Sequence, residues 1–336
     1  MKRKPWRLSL LLGLVLLLLA SGCSGGSGVT VRVGEVTRSI FYAPQYAALS
    51  QGFFEEEGLK VELQTIPGGD KTMTALLAGS IDVALVGSET SIYVYQQGAE
   101  DPVINFAQLT QKDGTFLFAR QPEGSFDWEM LRGSTFLGQR KGGMPQMAGA
   151  YVLQQKGIQP ETDLELIQNI DFANIAGAFV SGTGDYVQLF EPQASIFERE
   201  GRGKVVASFG VEGGRLPYTA FMAKGSYLKE HSETAQKFTN ALQRAQTWVM
   251  EQSPEKVADA ILPYFENTDR EIVISAVKRY KEQETYASDL RIDEGEWTNL
   301  QNVMESAGEL KQRIPLDAIV DNRFAEAAFQ AHGHKK

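Results

Sequence analysis

Hydrophobic and polar residues alternate, or run together, in short segments separated by turn residues along most of the chain. Val29–Val33 alternates, and Ile81–Val86 is a nearly continuous apolar run of strand length. Alternation is typical of a strand with one solvated face, whereas an unbroken apolar run indicates a parallel strand covered on both faces. Segments with helical spacing, at 69–79 and 88–98, flank the second of these strands. The pattern therefore predicts an α/β fold.

The same kind of pattern returns in the middle of the chain, and a helical pattern follows it. Strand-like runs begin again near Ser134, and a last one at Tyr218–Ala223 is interpreted as a return to the first sheet. From Ser232 onward, apolar residues recur at helical spacing. We therefore expect two lobes joined by two hinge crossings, with residues 29–119 and 218–336 in the first lobe and 120–217 in the second.

The first 22 residues predict a signal peptide rather than part of the fold. Four basic residues precede an almost pure leucine run at Leu8–Leu19, which is shorter than the ~20 residues of a bilayer span. A retained membrane anchor is the alternative. The segment Leu19–Cys23 resembles the lipobox of bacterial lipoproteins, although Ala20 stands where leucine is commoner. The resemblance implies that Cys23 is acylated and that residues 23–28 form a flexible tether.

Composition narrows the possible partners. The chain has 33 Lys and Arg, of which 29 remain after residue 22, against 42 Asp and Glu, all of which remain. This acidic balance argues against nucleic acid, whose binding requires many basic side chains. Cys23 is the single cysteine, so no intramolecular disulfide forms, and acylation would explain its presence in an exported chain.

Two stretches carry a resemblance to a known family. Residues 41–61, from Phe41 through the Pro44 helix start to Val61, and residues 72–86 are similar to the ABC-importer solute-binding proteins for sulfonates, taurine, nitrate and thiamine-pyrimidine precursors. The resemblance implies a two-lobed periplasmic-binding-protein fold of type II, a monomer that closes around one small molecule. It also implies delivery to an ABC permease with its ATPase, from a lipid-anchored position on the extracytoplasmic face of the cell membrane.

Turns between strands and helices are the candidate ligand site, because backbone N–H groups at helix starts point outward there. Gly68-Gly69 and Gly87-Ser88, at two of these turns, can bring backbone N–H groups to a negatively charged ligand, and nearby aromatic residues would cover a ring or an alkyl tail. Ordinary helix capping and core packing are the alternatives. The first-lobe candidates are Ser39, Phe41, Tyr42, Gln45, Tyr46, Gly69, Asp70, Ser88, Glu89 and Thr90.

The second lobe offers a glycine-rich, cationic turn between a strand and a helix, which would form an anion cradle or a plain solvated turn. A second glycine-rich loop, a glutamate before proline and a tyrosine at the return crossing complete the candidates. The residues are Lys141, Gly142, Gly143, Met144, Thr183, Asp185, Glu191 and Tyr218.

Catalytic machinery is not evident in the sequence. The three histidines are His231, ahead of a helix, and His332 and His334 in the tail, so neither a Ser–His nor a Cys–His arrangement is expected. No spacing predicts a metal site, and no cofactor is expected. The alternatives to transport are an enzyme resembling thiamine-pyrimidine synthase on the same fold and a ligand-sensing receptor module. Asp70 and Glu89 leave the ligand open between an oxyanion and a nitrogen heterocycle.

Overall fold

The computed structural model describes residues 28–122 and 124–333, and the predicted signal peptide, Cys23 and most of the tether lie outside these ranges. Ten strands form two five-stranded sheets. The strands are β1 (Val29–Glu35), β2 (Leu59–Thr65), β3 (Val83–Gly87), β4 (Val103–Thr110), β5 (Thr115–Ala119), β6 (Thr135–Leu137), β7 (Glu165–Ile167), β8 (Tyr186–Phe190), β9 (Lys204–Ser208) and β10 (Thr219–Lys224).

The two sheets repeat one topology. The first has the order β2-β1-β3-β10-β4, and β10 runs antiparallel between β3 and β4. The second has the order β7-β6-β8-β5-β9, and β5 runs antiparallel between β8 and β9. The antiparallel strand of each sheet is thus the one that follows directly after the other sheet in the sequence: β5 comes after β4, and β10 comes after β9. We call the parts built on these sheets the first and the second lobe. The prediction of a return strand at Tyr218–Ala223 is confirmed.

Helices cover the sheets, as expected for buried strands such as the fully buried β3. They are α1 (Ala43–Ser50), α2 (Phe53–Glu56), α3 (Gly69–Leu77), α4 (Glu89–Gln96), α5 (Met144–Gln155), α6 (Pro160–Asp163), α7 (Ile175–Val180), α8 (Gln193–Arg199), α9 (Phe209–Gly213), α10 (Gly225–Glu230), α11 (Ser232–Glu251), α12 (Pro254–Ile261), α13 (Arg270–Glu282), α14 (Glu294–Ser306), α15 (Leu316–Ile319) and α16 (Arg323–His332). Single 3-10 turns lie at Ile40–Tyr42, Trp128–Leu131, Phe172–Asn174 and Leu262–Tyr264.

The two crossings between the sheets run side by side. Leu216 N–H donates to Gln111 O at 3.0 Å, and Tyr218 N–H donates to Thr110 O at 3.0 Å. Sheet membership changes between Thr110 and Thr115 on the way out and between Ser208 and Thr219 on the way back. We therefore place the first hinge a few residues before the predicted boundary at 119.

The helix α13 lies against both lobes where the crossings meet. Its Tyr280 hydroxyl donates to Gly114 O at 3.1 Å and accepts from Glu191 N–H at 3.1 Å. Asp269 caps this helix by accepting from Glu271 N–H. The spacing of Thr268 and Glu271 in the sequence predicts a capping box with Thr268 as the cap, but the helix begins one residue later and Asp269 is the cap. Among the described residues no helix is both long and apolar enough to cross a membrane.

Candidate ligand-binding cleft

The carboxyl ends of inner parallel strands of the two sheets face one another. In the first lobe β3 ends at Gly87 and leads into α4; in the second lobe β6 ends at Leu137 and leads into α5. The Tyr93 hydroxyl lies 3.5 Å from Gly142 O and 3.6 Å from Met147 Sδ, across the gap between the lobes. The strand-to-helix turns of the two lobes therefore enclose one cleft. In open α/β sheets, ligands bind at such turns, outside the carboxyl ends of the strands.

Glu89 is the first residue of α4, and its carboxylate lies in the cleft. The side chain is buried, and Oε2 has no hydrogen-bond partner among the described residues. Burial raises the pKa of Glu89 from 4.5 to about 7, although the backbone N–H groups of Glu89 and of Met144, the first residue of α5, oppose that rise. A carboxylate of the first lobe thus points at a helix N-terminus of the second.

Glycine at position 87 makes room for that carboxylate. A Cβ added there would lie 2.1 Å from Glu89 Oε2, so the carboxylate is folded back over the Gly87 backbone. Neighbouring hydroxyls hold the turn. Thr90 Oγ1 donates to Gly87 O at 2.7 Å, and Ser88 Oγ donates to Pro217 O on the return crossing. Ser88 makes no capping bond, so its hydroxyl ties α4 to the hinge instead.

Asp113 and Tyr218 lie on the two crossings, deep in the same cleft. Asp113 Oδ1 accepts from Thr115 N–H at 2.6 Å. Asp113 Oδ2 and Tyr218 Oη are both buried and lie close to each other without a well-formed hydrogen bond, and neither has another partner among the described residues. Burial raises the pKa of Asp113 to about 7, and Thr115 and Tyr218 oppose the rise. Burial also raises the pKa of Tyr218, and the charges of Asp113 and Glu89 raise it further. Tyr218 therefore lies near both carboxylates.

Aromatic rings form one wall of the cleft. The Phe41 ring packs against Tyr42 at 5.6 Å, against Tyr218 at 5.4 Å and against Phe190 of the second lobe at 5.6 Å, between ring centroids. Phe172, half exposed, continues the series at 5.7 Å from Phe190. Phe41 and Tyr42 are themselves buried, so in this structure the two rings pack as part of the core next to the cleft.

Gln45 and Tyr46 turn into the first lobe. Both donate to Glu35 Oε2, at 2.9 Å and 2.6 Å, and the other oxygen of Glu35 accepts from Arg38 and Thr65 at 2.8 Å each. Ser39 caps the adjoining 3-10 turn through Phe41 N–H. These candidates therefore stabilise the turn that carries the aromatic wall, and the structure does not place Tyr46 in the cleft with Glu89.

The glycine-rich turn of the second lobe lies at the rim. Asp70 of the first lobe pairs with Arg140 at 3.7 Å across the opening, and both side chains are more than half exposed. Lys141 is exposed, and Gly142 has a φ of 87°, in the left-handed region that favours glycine. Gly69 lies beside Asp70, and Gly143 precedes α5 as its N-cap. The two cations of this turn are thus at the mouth rather than at the carboxylates.

Glu191 is buried but already has partners. It accepts from Ser195 N–H at 3.0 Å and pairs with Arg279 of α13 at 2.5 Å. Burial raises the pKa of Glu191, and Arg279 and Ser195 oppose that rise. This carboxylate joins α8 to α13 and has little capacity left for a ligand.

Thr183 and Asp185 lie where β8 begins, at the edge of the second sheet opposite the cleft. Asp185 Oδ2 accepts from Thr135 N–H at 2.9 Å, and Thr183 O accepts from Arg120 at 3.0 Å. The loop precedes its strand, and only loops that follow parallel strands reach the cleft. The structure therefore does not bring these two residues to the other candidates.

Asp113 and Gln188 are not predicted as site residues from the sequence, whereas Gln139 lies in the glycine-rich turn that the sequence does predict. The three are buried, and Gln139 Nε2 donates to Gln188 O at 2.7 Å while Gln188 Nε2 bonds Thr115 Oγ1 and Pro145 O at 2.8 Å. The only signal was position: Asp113 lies between two strands at a crossing. Among the described residues, no group of His, Cys, Asp and Glu side chains is arranged to hold a metal ion.

Two lobes with matching sheets, two antiparallel crossings that run side by side and a polar cleft between the lobes define the two-lobed periplasmic-binding-protein fold. A solved structure of the alkanesulfonate-binding protein SsuA from Xanthomonas axonopodis pv. citri, bound to MOPS, matches 89% of this chain and 100% of its own, with a TM-score of 0.71 and 15% identity. The ligand-binding component of an ABC-type import system from Staphylococcus aureus, with zinc bound, matches 89% of this chain and 99% of its own, with a TM-score of 0.71 and 15% identity.

The chain belongs to the NMT1-like family, whose sequence model matches residues 28–262. It is also 60% identical over 296 residues to a Bacillus subtilis (strain 168) protein named "Putative binding protein YtlA", which covers 88% of this chain and 89% of that one.

Proposed function

We propose that this protein is the solute-binding component of an ABC importer, which captures one small molecule between its lobes and delivers it to a permease. The observation that carries the proposal is the cleft itself, where Glu89 Oε2 is buried without a hydrogen-bond partner in the described chain and where Asp113 Oδ2 and Tyr218 Oη lie close together without a well-formed hydrogen bond. Buried polar groups are normally satisfied, so unsatisfied ones at an interlobe gap indicate groups reserved for a ligand.

The relatives support a binding role rather than catalysis. The YtlA relative is named as a binding protein, and the structural neighbours are named as binding components. The described histidines do not approach the cleft carboxylates: His231 precedes α11 and packs on Tyr227, and His332 ends α16. We infer a ligand that stabilises the closed form by binding it more tightly than the open form.

We further propose that the chain acts on the extracytoplasmic face, as a monomer held to the membrane by a lipid on Cys23. The leucine run, the lipobox-like segment and the Ser-Gly tether support this proposal. Mass spectrometry of the membrane-extracted protein should show a diacylglyceryl mass on a peptide that begins at residue 23. Cys23→Ser should release the protein from the membrane. An unmodified Cys23 peptide in the mature protein would overturn lipid anchoring and leave the binding role intact.

Ligand-driven closure is the test of the binding role. A thermal-shift screen of small oxyanions and nitrogen heterocycles should find a compound that raises the melting temperature, because ligand binding to the native state stabilises it by mass action. Small-angle scattering should then show whether that compound makes the protein more compact. The proposal fails if no compound of either class shifts the transition, or if a tight ligand leaves the lobe arrangement unchanged.

A further inference from the structure

The charges around the cleft are distributed unevenly, and this bears on which solute it takes. Two carboxylates, Glu89 and Asp113, lie inside it, and no salt bridge joins either one to a basic side chain of the described residues. Arg140 and Lys141 lie at the rim and are exposed. Lys112, next to Asp113 in the chain, donates to Gln283 O and pairs with Glu284. The cleft therefore holds two carboxylates that are not paired with these cations.

The positions that would hold an oxyanion already face a carboxylate. Anions bind well at helix N-termini, because free N–H groups and the helix dipole favour negative charge. Here the N-termini of α4 and α5 meet across the cleft, and Glu89 projects between them, close to the backbone N–H groups of Glu89 and Met144. A sulfonate or nitrate at this place would be repelled at short range by Glu89 in its ionised form.

The atoms that remain free are of the opposite kind. Glu89 Oε2 and Asp113 Oδ2 are acceptors when ionised, and Tyr218 Oη accepts or donates. Such a set is complementary to a group with several N–H donors and a positive charge. The aromatic wall of Phe41, Tyr42 and Phe190 is suited to the flat or apolar remainder of a ligand, and aromatic faces also attract cations.

From these contacts we infer that the ligand carries a cationic, multi-donor nitrogen group, of the amidine or amine class, which Glu89 and Asp113 bind, and that Glu89 excludes oxyanions. This inference rests on the proposed function and makes it more specific. Glu89 is the residue that determines specificity, because it occupies the position between the two helix N-termini.

A cationic ligand should also change the protonation of Glu89 and Asp113. The groups that face Glu89 are Tyr42, Tyr93, Tyr218 and the Met144 N–H; those that face Asp113 are Thr115, Tyr218 and Tyr280. All are neutral at pH 7. A cation placed beside these carboxyls lowers their pKa below about 7, so binding near pH 6.5 should release protons. An anionic ligand would cause proton uptake instead.

Amidines and their carboxylate isosteres provide matched probes. Calorimetry with benzamidine and acetamidine, against benzoate and acetate, compares cations and anions of nearly the same shape at two sizes. We expect one amidine to bind and its isosteric carboxylate to bind at least about tenfold more weakly. Titrations at pH 6.5 in buffers of different ionisation enthalpy should show net proton release.

Variants locate the effect. Glu89→Gln and Asp113→Asn should each weaken amidine binding about tenfold or more, and Glu89→Gln should remove much of the proton release. Glu161→Gln, at an exposed carboxylate of α6, is the matched control and should bind as the parent protein does. Circular dichroism confirms that each variant is folded. If Glu89→Gln binds the amidine more weakly but releases the same number of protons per bound ligand as the parent protein, Glu89 has a merely structural role and the inference is overturned.

The two proposals fail differently. If benzoate or acetate binds and closes the lobes while both amidines do not bind at millimolar concentration, the inference is wrong and the binding role stands. If no probe and no compound of the wider screen closes the lobes, the binding role fails as well.

Discussion

Two carboxylates of the first lobe, Glu35 and Glu89, are equally buried and have opposite surroundings. Glu35 accepts from four side chains, among them Tyr46 at 2.6 Å and Arg38 at 2.8 Å. Glu89 has an oxygen with no partner and a pKa raised to about 7 by burial. Both follow strands of one sheet, at the ends of β1 and β3. A position at the end of a strand therefore does not by itself identify a ligand-binding carboxylate. What distinguishes Glu89 is a carboxylate oxygen that no side chain or backbone group of the described residues satisfies.

The largest expected effect is at the satisfied carboxylate. Glu35→Gln removes the charge that pairs with Arg38 and leaves one fewer acceptor for Tyr46 and Thr65, so the free energy of unfolding should fall by about 3 kcal/mol. Urea unfolding followed by circular dichroism measures this change.

The control for that prediction is Glu62→Gln on β2, where the exposed pair with Lys60 should contribute less than about 0.5 kcal/mol. Equal effects of the two variants would mean that the Glu35 cluster does not stabilise the first lobe.

Replacing Glu89 should raise the free energy of unfolding, whereas replacing Glu35 should lower it. Its pKa rises from 4.5 in the unfolded chain to about 7 in the fold, so the folded protein binds the extra proton and loses stability as the pH rises from about 5 to 7. Glu89→Gln avoids that loss and should stabilise the empty protein by about 2 kcal/mol at pH 8 and hardly at all at pH 4.5.

Melting temperatures of the parent protein and of Glu89→Gln across that pH range measure the gain. A constant difference, or none, would contradict a buried, unpartnered carboxylate. The gain in stability should accompany a loss of ligand binding, as is common where function requires an unsatisfied group.

The strands and the first helix of this lobe could be predicted from the sequence, but which side chains face the cleft could not. The alternation of β1, the apolar run of β3 and the Pro44 helix start fixed the first lobe, and both Gln45 and Glu89 were candidates on position alone. Which of them faces the cleft depends on Glu35, whose hydrogen bonds join residues 30 positions apart in the chain. Long-range pairing of this kind leaves no local signal in one sequence.

The second lobe shows the same limit. The turn before α5 was recognisable from its glycines and cations, and it does lie beside the cleft. The loop at Thr183 and Asp185 is also rich in glycine, yet it precedes its strand and lies at the opposite edge. Direction along the strand, rather than composition, decides which loop reaches the ligand.

The smallest effect on stability is expected at Gly87. Gly87→Ala places a Cβ 2.1 Å from Glu89 Oε2, and the end of that side chain has to move away. We expect a change of about 1 kcal/mol or less in unfolding free energy, and a severalfold loss of ligand affinity because the carboxylate is displaced. Thermal melts and calorimetry on one preparation measure both.

A matched control for Gly87→Ala is Gly177→Ala in α7, where the added Cβ meets nothing within 4 Å. Unchanged ligand affinity in Gly87→Ala would mean that the position of the Glu89 carboxylate is not critical for binding.

The most direct test of the account is the distance between the lobes with and without ligand. Cys23 is the single cysteine of the chain, so Cys23→Ser with Leu77→Cys and Met130→Cys, at exposed positions of the first and second lobes, allows two fluorophores to be attached. We expect a compound found in the thermal-shift screen to shorten the distance between the labels. At the same ligand concentration, the decrease in distance should be smaller in Glu89→Gln. A distance that stays the same at saturating ligand would contradict the account.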